Sequence, residues 1–128
     1  MKKKKYKNPI PRLRDKADRQ WQQIFVSKNS NCECCGMPIH CGHHYISKGA
    51  SGVLRYEEIN MIPVCLGCHC KFHSKHAPIM NSETTLRRGE EWYENLIQKN
   101  QAKIKTNVSY YRSIIEDLEE QLLILEIQ

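Results

Sequence analysis

The 128-residue sequence has no apolar run of about 18 residues, the length that a helix needs to span a bilayer. Its N-terminus reads Met1-Lys2-Lys3-Lys4-Lys5 without an apolar stretch behind it, which argues against a secretory signal. Internal repeats and low-complexity segments are also missing. The sequence therefore predicts a cytoplasmic protein with no membrane partner, and its length suits one small globular domain with an attached arm or tail.

Acidic residues are scarce in the first part of the chain. Residues 1–40 carry a net charge of +7, residues 41–80 carry +2 and residues 81–128 carry −3. A basic front half favours a polyanionic partner, most simply a nucleic acid, because lysine and arginine release counterions from phosphates. The acidic back half favours a protein partner.

Cysteine, in contrast, is abundant, with seven residues in the chain. Closely spaced cysteines in a reducing compartment more often hold a metal than form disulfides. Cys32 and Cys35 form one C-x2-C pair and Cys65 and Cys68 another, with 29 residues between the pairs. Two such pairs predict a tetrahedral structural zinc site. A redox dithiol and buried free cysteines are the alternatives. The pattern assigns no role to the remaining three, Cys34, Cys41 and Cys70.

The chain divides into three segments on local signals. Residues 1–11 read as a flexible basic arm that ends in two prolines. Residues 12–80 contain a helix over Arg12–Ser27, defined by apolar spacings of three and four, and the cysteine-rich core. Residues 81–128 are helical, with a cap at Asn81-Ser82 and a break at Gly89. The last helix, capped by Asn107, carries a heptad seam: Val108, Tyr111, Ile115, Leu118, Leu122 and Leu125. This seam serves either a homodimer or packing within the chain.

All six histidines lie between the two cysteine pairs or just after them. His69 and His73 are four residues apart, so on a helix both rings face one side and can share a cation. His43 and His44 lie in a predicted strand, where neighbouring side chains point to opposite faces. One of the two side chains can then bind a metal while the other contacts a substrate. The alternative is that they are surface or zinc-ligand histidines without catalysis. His40 and His76 stay unassigned.

The order His43-His44, then Asn60, then Cys65-x2-Cys68-His69 and His73 resembles the HNH (His-Me finger, ββα-metal) nuclease motif in a zinc-stapled form. The likeness extends through Gly42 to Cys68 and to Leu86 and Gly89, and there the chain is similar to the phage NinG (Rap) recombination endonucleases, which cut branched DNA. The family usually has asparagine at the position of His69. The resemblance implies an α+β fold in which a small ββα-metal, treble-clef-like core is flanked by an N-terminal helix and C-terminal helices.

The resemblance also implies residue roles. His44 would be the general base that takes a proton from the attacking water. His43 and His69, with His73, would hold a catalytic divalent ion, Mg²⁺ or Mn²⁺, or another transition metal because imidazole suits such ions. Asn60 would fix the loop that orients His44.

The expected function is therefore a DNA endonuclease that hydrolyses phosphodiester bonds at branched recombination intermediates, acting in a host cytoplasm as a homodimer. The basic residues near the site and in the arm are the expected phosphate contacts: Lys2, Lys3, Lys4, Lys5, Lys48, Arg55, Lys71 and Lys75. Two other interpretations stay open. One is a non-catalytic zinc-finger module that binds DNA, and the other is an HNH endonuclease that acts on linear duplex DNA.

Overall fold

The structure, a computed structural model, describes residues 7–127 and gives them a mixed α+β fold, as predicted. Within this range there are five α-helices, a two-stranded sheet and a short 3-10 helix, Glu58–Asn60. The elements in chain order are α1 (Ile10–Lys28), β1 (Cys41–His44), β2 (Met61–Val64), α2 (Leu66–Phe72), α3 (Ala77–Arg88), α4 (Glu90–Asn100) and α5 (Val108–Ile127). They form two compact units. One comprises the chain up to Ile24 and from Lys105 onward, and the other comprises Phe25–Ile104.

Helix α1 begins two residues before the predicted start, so Ile10 and Pro11 belong to the helix and not to the arm. Proline is tolerated there because the first turn of a helix has no partner for its backbone N–H groups. The side chain of Asn8 accepts a hydrogen bond from the Ile10 N–H at 3.0 Å, which stabilises the helix start. The predicted lysine arm, Lys2 to Lys5, lies outside the described residues.

In the first unit, α5 begins as predicted, with the Asn107 side chain accepting a hydrogen bond from the Tyr110 N–H at 2.9 Å. Three seam residues of α5 are buried within the chain: Tyr111, Ile115 and Leu118. The apolar positions of α1 are buried as well: Ala17, Trp21 and Ile24. An ion pair of 3.0 Å between Lys16 and Glu119 joins the two helices. Part of the heptad seam therefore serves packing within one chain.

In the second unit, β1 and β2 pair antiparallel, with Cys41 opposite Val64 and His44 opposite Met61. Gly42 is required in β1 because a Cβ there would lie 2.6 Å from side-chain atoms of both Met61 and Phe25. The sheet packs on α2 and α3 around a small core: Cys32, Ile62, Val64, Cys68, Phe72 and Met80. The pairing places the cysteines and histidines of β1 beside those of α2.

The helical hairpin after the core differs in one respect from its prediction. Helix α3 begins at Ala77, so the prediction of a helix cap at Asn81-Ser82 was wrong. Pro78 lies in the first turn, where its fixed φ suits a helix start. Gly89, with φ of 94°, separates α3 from α4 at the predicted break. Leu96 is fully buried, and α4 is anchored by a 2.9 Å hydrogen bond from the Trp92 indole to the Ile59 carbonyl.

None of the helices in residues 7–127 combines the length and the apolar character that crossing a membrane requires.

Candidate metal centres

Two turns of the second unit bring Cys32, Cys35, Cys65 and Cys68 together. The first pair lies in a tight turn closed by the Asn31–Pro38 bridge, in which Gly36 takes a φ of 79° that favours glycine. The second pair opens α2, where the Cys65 sulfur accepts a hydrogen bond from the Cys68 N–H at 3.4 Å.

The four sulfurs lie within 4.8 Å of one another, and those of Cys35 and Cys65 are 3.5 Å apart. Zinc–sulfur bonds of about 2.3 Å in a tetrahedron place the sulfurs about 3.8 Å apart. The cluster therefore fits a zinc ion without rearrangement of the two turns, and it can hold a structural metal such as zinc.

The thiols of this cluster have unequal proton affinities. Burial acts to raise the pKa of Cys32, but hydrogen bonds from the backbone of Cys65, Cys35 and Cys34 outweigh it and lower the pKa to about 6. Burial, followed by the neighbouring sulfurs, raises the pKa of Cys68. Thiolates this close repel one another, and a divalent cation relieves that repulsion, so the electrostatics agree with a metal site.

A charged cluster that local sequence patterns do not predict anchors the first turn to α3. The Glu33 carboxylate forms ion pairs with Arg87 at 2.8 Å and with Arg88 at 2.7 Å. Arg88 also donates a hydrogen bond to the Met61 carbonyl at 2.9 Å. The Arg88 guanidinium lies 5.0 Å from the centre of the Trp92 ring. Burial acts to raise the pKa of Glu33, but the hydrogen bonds from Arg88 and Arg87 lower it overall. Glu33 is more than 50 positions from both arginines, so no local spacing could reveal these ion pairs.

Beside the cysteines, the structure brings His43, His69 and His73 together. His43 comes from β1, His69 from α2, and His73 from the position that ends α2. Their ligand nitrogens lie within 4.8 Å of one another, and the Nε2 atoms of His69 and His73 are 3.0 Å apart. His43 is 8% exposed and stacks on Phe72 at 4.3 Å between ring centres. Three imidazole nitrogens thus converge on one point.

The environment favours the neutral form of two of these rings, His43 and His69. Burial, followed by the charges of His69, His73 and His44, lowers the pKa of His43 to about 3. Burial, followed by His73 and His40, also lowers the pKa of His69. A neutral imidazole offers its lone pair to a metal, whereas a protonated one does not. The cluster therefore fits a divalent ion with three nitrogen ligands.

His44, the next residue of β1, is held by the loop between the strands. Its Nε2 lies 2.9 Å from the Arg55 carbonyl oxygen. A carbonyl only accepts hydrogen bonds, so Nε2 carries the hydrogen and Nδ1 of the neutral ring carries the lone pair. His44 is close enough to His43 for its charge to contribute to the lowered pKa of that residue.

Asn60 is fully buried and closes the same loop. Its side-chain oxygen accepts from the Ile46 N–H at 2.8 Å, and its amide nitrogen donates to the carbonyls of Ile46 at 2.9 Å and Leu54 at 3.4 Å. Asn60 therefore ties together both ends of the segment that precedes Arg55, whose carbonyl binds the His44 ring.

The expected phosphate contacts within the described residues are distributed around this unit. Lys48, Lys71 and Lys75 are exposed, and Arg55 is half-buried. Lys71 and Lys75 flank His73 in the sequence, and Lys48 and Arg55 lie in the loop that Asn60 closes. Positive charge is thus available near the histidines.

No family model, no curated protein and no solved structure matches this chain.

Proposed function

We propose that the protein is a metal-dependent DNA endonuclease of the HNH (His-Me finger) type, which hydrolyses phosphodiester bonds. The observation that carries this proposal is the convergence of His43, His69 and His73 on one point beside His44, whose ring is held by a loop that Asn60 closes. A protein that only binds DNA has no chemical need for this combination.

In this proposal His44 is the general base. The hydrogen bond from Nε2 to the Arg55 carbonyl fixes the ring and leaves the Nδ1 lone pair to take a proton from the water that attacks phosphorus. Asn60 acts as a positioning residue, because its three hydrogen bonds hold the loop that carries this carbonyl.

His43, His69 and His73 would hold the catalytic ion. A divalent ion held there would supply Lewis acidity for the negative charge that develops on the phosphate and on the leaving 3′ oxygen. Three nitrogen ligands favour Mn²⁺ over Mg²⁺, since imidazole suits transition metals better than the harder magnesium ion. Mg²⁺ remains the alternative for the cell, because its availability can outweigh affinity.

The substrate we propose is DNA at branched recombination intermediates. The likeness of residues 42–68 to the NinG endonucleases supports this choice, together with the basic residues on the exposed surface of the second unit, Lys48, Lys71 and Lys75. Phosphate contacts of this kind supply affinity that is independent of sequence, which suits recognition of DNA by shape.

A cleavage assay on matched DNAs tests this function. The purified protein is incubated with linear, flap, three-way and four-way substrates of shared sequence, in EDTA, Mg²⁺ or Mn²⁺. We expect cleavage of the branched substrates, faster with Mn²⁺, and none in EDTA. Equal cleavage of linear duplex would instead favour an HNH endonuclease without branch preference. Binding without cleavage under every condition would favour a zinc-finger module.

We also propose that the protein forms a homodimer through the C-terminal end of α5. The seam residues Tyr111, Ile115 and Leu118 are buried within the chain. Near the end of the helix, two apolar residues outside the seam are exposed: Leu123 at 60% and Ile124 at 50%. Apolar side chains clustered in this way favour association, and two copies can present two active sites to opposing strands of a branch.

Sedimentation tests the dimer. We expect the unmodified protein to sediment as a dimer at micromolar concentration and the double substitution Leu123→Glu with Ile124→Glu to yield a monomer, because it places charge in the proposed interface. Ser113→Glu, at an exposed position of the same helix, should stay dimeric. A monomeric unmodified protein would show that α5 serves only its own chain.

A further inference from the structure

Cys41, which the cysteine frame does not use, lies against the histidine cluster. Its sulfur is 3.4 Å from Nδ1 of His69, while Nε2 of the same ring lies 3.0 Å from Nε2 of His73. We propose that Cys41 is a positioning residue for the metal site, which accepts a hydrogen bond from His69 and so fixes the ring with Nε2 toward the ion. This inference rests on the proposed metal site.

The direction of the hydrogen bond follows from the proposed metal site. Because Nε2 of His69 lies 3.0 Å from Nε2 of His73, it is the atom that would offer a lone pair to the shared cation. The neutral ring has only one hydrogen on nitrogen, so that hydrogen is then on Nδ1 and points to the Cys41 sulfur. Histidines that bind metals usually donate their second N–H to an acceptor, which fixes the tautomer and the ring orientation.

The position of Cys41 in the fold supports this role. Cys41 and His43 are two residues apart in β1, so their side chains project from the same face of the strand. One strand therefore supplies one metal ligand and the partner of a second ligand, which comes from α2. The contact between Cys41 and His69 thus joins β1 to α2 beside the point where His43 and His69 would bind the same ion.

Substitutions that keep the size of the side chain but change its hydrogen bonding test the proposal. Cys41→Val removes the acceptor and preserves the bulk, whereas Cys41→Ser retains an acceptor in a smaller side chain. Cys70→Val is the matched control, because Cys70 is the exposed neighbour of His69 on α2 and belongs to neither metal cluster.

The first readout is Mn²⁺ affinity of the zinc-loaded, full-length protein, measured from the electron paramagnetic resonance signal of the free ion. Loss of a partner of a metal-binding histidine typically weakens metal affinity about 10- to 100-fold. We expect a loss of this size for Cys41→Val, a smaller loss for Cys41→Ser and no change for Cys70→Val. The second readout is the ¹⁵N shifts of the His69 ring without Mn²⁺, where Cys41→Val should reduce the population that carries hydrogen on Nδ1.

The outcomes separate this inference from the proposed function. If the unmodified protein binds Mn²⁺ and Cys41→Val binds it equally well, Cys41 has no positioning role, although the metal site stands. An equal loss of affinity in Cys70→Val would trace the effect to the helix and would also overturn the inference. If the unmodified protein binds no Mn²⁺, both the metal site and the role of Cys41 are wrong. Should Cys41→Val fail to fold, Cys41→Ala takes its place, because it also removes the acceptor. A Cys41→Ala variant with unchanged Mn²⁺ affinity and an unchanged His69 tautomer would overturn the inference.

Discussion

Replacing His44 with alanine should lower the rate of DNA cleavage by roughly 100- to 10,000-fold, the usual cost of losing a general base. The substitution removes the proposed general base, but none of the residues in the two candidate metal sites. Zinc content, folding and affinity for branched DNA should therefore stay close to those of the unmodified protein. Single-turnover cleavage at saturating DNA measures the chemical step directly, because binding no longer limits the rate.

His76→Ala is the matched control for this experiment. His76 is exposed, precedes α3 and makes no capping hydrogen bond with its side chain, so its loss should leave the cleavage rate unchanged. If His44→Ala cuts DNA as fast as the unmodified protein, His44 is not the general base and the proposed site is wrong. If His44→Ala has also lost DNA binding, the His44 ring contacts the DNA in addition to any role in activating the attacking water.

The features that sequence reasoning found are those encoded by short spacings. The C-x2-C pairs, the cap at Asn107 and the break at Gly89 each depend on residues within a few positions of one another, so local rules are enough to place them. The start of α3 was missed for a related reason: Asn81 and Ser82 resemble caps, but Pro78 had already fixed an earlier first turn.

The features that sequence reasoning missed depend on contacts between distant residues. The hydrogen bond between Cys41 and His69 joins positions 28 apart, and the cluster of Glu33 with Arg87 and Arg88 spans still more of the chain. For the seam of α5, too, the sequence pattern leaves the packing partner undetermined. Its spacing defines one apolar face, yet the pattern does not say whether a second chain or α1 covers Leu118.

Removal of the metal from the cysteine cluster should unfold the second unit. A structural zinc contributes on the order of 10 kcal/mol of apparent binding free energy at neutral pH, which is comparable with the whole free energy of unfolding of a typical small domain. The apolar core of this unit is small, and two of its members, Cys32 and Cys68, are themselves cluster residues. Without the metal, the repulsion between sulfurs returns and the two turns lose the link that holds them together.

Chelation of the purified protein, or the single substitution Cys65→Ser, produces this state. We expect one zinc per chain by elemental analysis in the unmodified protein, and its loss to abolish the cooperative thermal transition of the second unit. Hydrogen exchange should then show lost protection across Phe25–Ile104. Cys70→Ser, which changes an exposed cysteine outside the cluster, should keep both its zinc and its thermal transition. A zinc-free protein that melts at an unchanged temperature would show that the four cysteines pack as free thiols, and that the core is stable without an ion.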